Sequence, residues 1–418
     1  MSGLKRITST VLKLPLEILI DILTRLPSKS LLQLRCVSKL FCLLIGDDSF
    51  ADLHYRRSLT LCHGMSILIS FVTKARQTRV YYTINFTDET RGTLKANRVR
   101  YFDECPKSHL GTYAKGLISL LTNSGDDVIC NPSTRQQISL PRICVNNSLL
   151  ESNCERLAFD PVLKKYKLLK SVWYSESGNR IVNGIAITHS WMRQWVFTLG
   201  VDQSWREIEC IQFYHANCCF HHFFHSVQID RIIYSFNWKF GSSRPANIAA
   251  FDVCAESTHI ISFPNDFSSQ CSHRMSSGLI MRSALVDLDG RLAILHISKV
   301  DDRKYSMVIW KMEKCMVWEQ LAIAIPLEAS QMIHRCLLRV TTNHFGEVML
   351  FLIGRSKTIF VLVLLYNFKS QVWRKLDIHG LLDKPSPCFW DTAVMHVIVD
   401  NLFSVAGGSS NRPLAYAG

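Results

Sequence analysis

The hydrophobic period changes once along this 418-residue chain, and that change limits its folds more than any other feature. From about residue 12 to 57, apolar residues recur at helical spacing. From about residue 62 onward, short β-branched, aromatic and aliphatic runs alternate with Gly, Asn, Asp, Ser and Pro. A 3.6-residue repeat cannot keep its apolar set on one side of a sheet, where the period is two. The pattern therefore predicts two folding units, a small helical segment and a long all-β region. Removing the first is expected to leave the second folded.

The first helix of the small unit is apolar over most of its circumference. Glu17, Asp21, Thr24 and Arg25 share one narrow sector, and Leu16, Ile18, Leu19, Ile20, Ile22, Leu23 and Leu26 fill the rest. That arc is on the order of 200°, against the roughly 100° stripe of a surface helix. Such a helix is covered on two sides. Pro15 suits a first helical turn, and Pro27 ends the helix because proline cannot continue it. Ser28 suits the cap of a second helix bearing Leu31, Leu32 and Leu34. A third carries Val37, Leu40, Phe41 and Leu44, and Asp47 suits the cap of a fourth with Phe50 and Leu53. A unit this small buries too little surface to be stable unaided. Either a partner covers its second side, or the segment is a helical cap on the β region.

The β region repeats weakly. An aromatic residue followed by a short polar one recurs at Phe159-Asp160, Phe251-Asp252 and Tyr366-Asn367, and Trp205, Trp318 and Trp373 punctuate strands. Repeats of ~40–50 residues with an aromatic anchor predict a β-propeller, of about six blades over the length available. A large β-sandwich or two smaller β domains are the alternatives. Tryptophans in such a fold are expected as blade anchors rather than as a ligand cage or a base-stacking platform.

Leu14-Pro15-Leu16-Glu17-Ile18-Leu19, Ile22-Leu23-Thr24-Arg25-Leu26-Pro27-Ser28-Lys29-Ser30-Leu31 and Arg35-Cys36-Val37-Ser38-Lys39 resemble, in order, the F-box motif of plant F-box proteins. One position departs from it, with Phe41 where the family usually has Trp. Further on, Lys115-Gly116-Leu117-Ile118, Cys130-Asn131-Pro132-Ser133, Phe159-Asp160-Pro161, Ala250-Phe251-Asp252, Asp289-Gly290-Arg291-Leu292 and Val308-Ile309-Trp310 resemble the F-box-associated, kelch-like β-propeller region of the same proteins. The resemblance implies a three-helix F-box that docks on a Skp-type adaptor, and through it a cullin scaffold. The implied adaptor-binding residues are Leu14, Pro15, Ile18, Ile22, Leu26, Pro27, Leu31, Leu34, Cys36, Val37, Ser38 and Phe41.

Chemistry beyond binding leaves no signature. The chain has no Gly-rich phosphate loop, no G-x-S-x-G elbow, no H-E-x-x-H and no C-x-x-C. His215, Cys218, Cys219, His221, His222 and His225 cluster, but match no closed-site zinc spacing, and Phe220, Phe223 and Phe224 interleave with them. They are expected to be structural, and no cofactor or metal is expected. Forty-eight Lys and Arg against 34 Asp and Glu give a net charge of +14, yet no basic block stands out, which disfavours nucleic acid as partner. No apolar run approaches the ~20 residues of a membrane span. The odd count of 15 cysteines, and an N-terminus without an apolar signal core, suggest reduced thiols in cytosol or nucleus.

The expected organisation is an N-terminal tail over 1–11, an F-box over 12–57 and a connecting segment with the first strands over 58–110. A propeller-like domain follows over 111–405, with a C-terminal tail over 406–418. The expected role is substrate recognition in an SCF-type ubiquitin ligase, without catalysis. The substrate and its binding residues are unknown at this stage. The alternative is a basic propeller that binds nucleic acid or acidic proteins without ligase function.

Overall fold

The computed structural model describes residues 14–405 except 62–63, 74–78, 87–91, 105–107, 123–126, 144–148, 176–179, 183–184, 188–189, 210–225, 239–244, 268–281, 302, 314–315, 334–335, 355–359 and 382–393. The His and Cys cluster at 215–225 lies outside the described residues. Four helices come first: α1 (Leu16–Leu23), α2 (Ser28–Arg35), α3 (Lys39–Ile45) and α4 (Asp48–Thr60). Pro15 and Pro27 are the residues just before α1 and α2, where extended backbone and a missing N–H both suit proline. Ser28 therefore caps nothing, and its own N–H and hydroxyl turn outward to another part of the chain.

Asp47 does cap α4. Its Oδ1 accepts from the amides of Ser49 at 2.8 Å and Phe50 at 3.3 Å, satisfying two N–H groups that the helix leaves unpaired. Asp47→Ala should cost about 1 kcal/mol. Denaturant unfolding of the purified variant measures it, and an unchanged midpoint would remove the cap from the account.

Among the described residues, all that follows in regular structure is β-strand apart from a short helical turn at Arg100–Glu104 and one further helix. Strands β1 (Met65–Val72), β2 (Arg79–Asn85) and β3 (Thr93–Arg98) come first. Four blades follow in chain order. β4 (Ser108–Ala114), β5 (Leu117–Thr122), β6 (Val128–Cys130) and β7 (Gln137–Ser139) form blade one. Blade two has β8 (Leu149–Asp160) and β9 (Lys165–Ser175), a separate hairpin of β10 (Arg180–Val182) and β11 (Ile185–Ile187), then β12 (Ser190–Thr198) and β13 (Arg206–Ile208). Blade three comprises β14 (Ser226–Ile229), β15 (Ile232–Trp238), β16 (Pro245–Asp252) and β17 (Ser257–Ile261). Blade four comprises β18 (Ser283–Leu288), β19 (Arg291–Lys299), β20 (Tyr305–Met312) and β21 (Trp318–Ala324).

Helix α5 (Leu327–Ile333) leads into blade five, of β22 (Cys336–Thr342), β23 (Val348–Gly354), β24 (Val361–Asn367) and β25 (Val372–His379). The last strand, β26 (Val394–Val399), returns to the start of the β region and pairs antiparallel with β1, from Met65↔Val399 to Ser70↔Val394. Blade six is thus β26, β1, β2 and β3, assembled from both ends of the β region. A parallel contact of β25 with β3, at Asp377↔Thr93 to His379↔Lys95, joins its outer edge to blade five. Residues 65–98, within the segment expected to hold a connection and the first strands, supply three strands of the closing blade.

Local sequence explains the turns. Asp160, Asp252, Asn367 and Asn131 each accept, through the side-chain oxygen, from the amides two and three residues on. Four residues after each, Lys164, Glu256, Gln371 and Arg135 adopt positive φ and return the chain to the next strand. Asp or Asn at the first position supplies the bond that the turn backbone would otherwise lack. Asp289-Gly290 forms a two-residue hairpin, with φ of 54° and 74°.

Tryptophans staple neighbouring blades. Trp205, Trp318 and Trp373 lie at outer strands, and their indole N–H groups donate to the carbonyls of Pro141, Ser262 and Ala324 at the preceding blade or its end. Apolar faces of successive blades then pack on one another around the ring. Ile248, Ile294 and Trp310 fill the interface of blades three and four. Ile69, Tyr82, Phe351 and Val363 fill that of five and six.

Candidate adaptor-docking surface

Helix α1 divides its apolar residues between two directions. Leu19 and Leu23, one turn apart, point inward and pack with Leu31, Leu44, Ile45 and Phe50. Leu14, Ile18 and Ile22, spaced by four, face outward, and Leu16 is exposed at the first turn on the other side of the helix. Ile22 is 44% exposed and Val37, in the turn from α2 to α3, is 70% exposed. Scattered exposed leucines need no explanation, whereas several large apolar side chains on one short helix point to a covered surface.

Salt bridges hold that helix in place. Asp21 binds Arg25, just past the end of its helix, at 2.8 Å and Arg57 of α4 at 2.7 Å. The bond from Arg25, with the charges of both arginines, holds the Asp21 carboxyl below the usual aspartate range. Ser38 caps α3 by accepting from the Phe41 amide at 3.2 Å, which sets the exposed turn containing Val37.

The twelve residues expected to serve adaptor binding divide by exposure. Leu14, Pro15, Ile18, Ile22, Pro27, Cys36, Val37 and Ser38 are exposed. Leu26, Leu34 and Phe41 are half-buried, packed against the helical core with part of their surface outward. Leu31 is a correction: at 0% exposure it is the centre of the helical core and offers a partner nothing. Three exposed leucines of the helical segment were not among the twelve, Leu16 on α1, Leu43 on α3 and Leu53 on α4. Their side chains carry no signal that separates them in sequence from the buried leucines beside them.

On the propeller, a cleft of about 410 Å³ opens between blades three and four, lined in part by Asp230, Arg231, Tyr234, Arg291, Met312 and Glu313. Its arginines are held by Asp252 and Glu313. Among the described residues no group of three or more His, Cys, Asp or Glu side chains is placed to hold a metal, and no helix is long and apolar enough to cross a membrane.

Comparison with known proteins agrees with this division of the chain. Residues 11–52 match the F-box domain, and residues 66–402 match the F-box associated beta propeller domain. The F-box protein At2g21930 of Arabidopsis thaliana is 25% identical, covering 93% of this chain and 91% of its own. The F-box/kelch-repeat protein At3g04660 of the same plant is 27% identical, covering 93% and 94%. Among solved structures, the six-bladed β-propeller lectin of Aleuria aurantia aligns with a TM-score of 0.35 at 9% identity, over 77% of this chain and 96% of that one. The chain belongs to the F-box proteins that carry an F-box-associated β-propeller.

Proposed function

We propose that this chain is the substrate-recognition subunit of an SCF-type (Skp–cullin–F-box) ubiquitin ligase complex. The observation that carries this reading is the outward apolar stripe of Leu14, Ile18 and Ile22, with the exposed Val37, on an F-box attached to a propeller. A Skp-type adaptor covers the stripe and links the chain to a cullin. The propeller holds a target protein. The chain does no covalent chemistry: it raises the effective concentration of a target lysine near a ubiquitin-charged enzyme. Such a receptor works in the cytosol or nucleus, and its targets end at the proteasome.

Full-length protein purified with a Skp-type adaptor should form a one-to-one complex. Added to a cullin and a ubiquitin-charged enzyme, that complex should modify a protein captured by the chain under proteasome inhibition. Folded full-length protein that binds no Skp-type adaptor would refute the reading.

A further inference from the structure

The strand that closes the propeller does not stop at its last paired residue. Asp400, directly after β26, accepts from both the amide and the hydroxyl of Ser28 at the start of α2. Leu402 packs on the helical core made by Leu19, Leu23, Leu31 and Phe50. Phe403 lies 5.2 Å from the ring of Tyr55 on α4. One short segment therefore belongs to the closing blade at its beginning and to the F-box core at its end.

Blade one holds the same segment. Asn401 is fully buried, donates to the carbonyls of Gly116 and Val399 at 3.0 Å each, and accepts from Asn131 at 2.6 Å. Lys115, in the turn between β4 and β5, reaches into the junction. Its ammonium is 2.8 Å from Asp52 of α4, 3.9 Å from the Phe159 ring centroid and 4.9 Å from that of Phe403. A cation held by a carboxylate and aromatic faces in a partly buried place is a stiff joint.

We propose that adaptor docking and propeller closure are thermodynamically linked through residues 399–403. This rests on the reading of the outward α1 stripe as the adaptor surface. The adaptor binds the folded F-box, and the folded F-box includes Leu402 in its core. A ligand that binds only one conformation raises its population. The adaptor thus holds residues 400–403 in place and with them the pairing of β26 on β1. The linkage is reciprocal: loosening the segment weakens adaptor binding by the same factor.

Hydrogen exchange on the full-length chain, with and without a purified Skp-type adaptor, tests this. With adaptor, amides of 394–399 and 65–72 should exchange at least about tenfold more slowly. Leu402→Ala should lower adaptor affinity about tenfold and remove most of that slowing. Ser28→Ala, a milder change that removes one bond to Asp400, should reduce both effects a few-fold. Adaptor binding that slows exchange in the helices but leaves 394–399 unchanged overturns the linkage alone. No adaptor binding at all overturns it together with the proposed function.

Discussion

Ile22→Asp should weaken adaptor binding by about 100-fold or more while leaving the melting temperature of the chain nearly unchanged. The two halves of this expectation come from the two faces of α1. Leu19 and Leu23 hold the helix to its core, and neither touches the changed position's outward surface. Ile22 is 44% exposed, so an aspartate there stays in water in the free protein. In the complex the same carboxylate is covered by apolar partner surface. An uncompensated charge in that setting costs about 3–5 kcal/mol, which is 100-fold or more in affinity. Arg25 is already engaged by Asp21, which limits the relief it offers a new neighbour. Calorimetric titration with purified adaptor, beside a melting curve, reads both halves. Leu31→Asp is the contrast, since its side chain is wholly buried: it should lose binding and melt early together. Full-strength binding by a folded Ile22→Asp chain would place the adaptor on some other surface.

What the sequence made legible was local, and what it hid was long-range. The Asx turns at Asp160, Asp252 and Asn367 were readable because each side chain bonds its own backbone within three residues. The hairpin at Asp289-Gly290 was readable because both residues tolerate the positive φ that a two-residue turn demands. The closing blade was not. Val394–Val399 pairs with a strand more than 300 residues earlier, and an apolar run carries no mark of its partner. Hence strands were expected within 58–110, but nothing there marked them as three strands of the blade that closes the ring. Asn131 was legible as the start of a turn, but not as a ligand of Asn401 across the ring closure.

The candidate docking surface was legible to the same depth. The wide apolar arc of α1 required covering on two sides, and the reading of the segment as a helical cap on the β region describes one of them. The helices do rest on the propeller, through Ser28, Asp52 and Tyr55. They also keep an outward stripe. Periodicity cannot assign a given leucine to one or the other, which is why Leu31 was counted outward and Leu16 was not. The change of period near residue 60 marks a boundary in sequence only. In space the helical core borrows Leu402 from the other end of the chain, so a fragment without the helices should close its last blade poorly.

Lys170→Met should destabilise the propeller by about 3–5 kcal/mol, because it strands buried carboxyls. Lys170 lies on β9, opposite Glu155 of β8, and pairs with Asp127 at the start of β6, so the group bridges blades one and two. All three side chains are at least 94% buried. The Glu155 carboxyl also meets the carboxyl of Asp127 and the hydroxyl of Ser119. Two carboxylates against one ammonium would leave a net negative charge in a dry interface. Burial and the nearby Asp127 charge push the Glu155 carboxyl well above the ordinary glutamate value, against the pull of Lys170. The folded chain therefore keeps a proton on Glu155 that the unfolded chain loses. This fixes the sign: the contribution is fully present below the unfolded glutamate value and fades as pH rises toward the folded one. Glu155→Gln keeps the shape of the protonated acid and should flatten that part of the stability–pH profile, with little change at low pH. Denaturant unfolding of the wild type and both variants across pH measures these effects. A Lys170→Met chain as stable as the wild type would mean that the carboxyls are both neutral or reach water, and the three-residue bridge would cease to explain how blades one and two are joined.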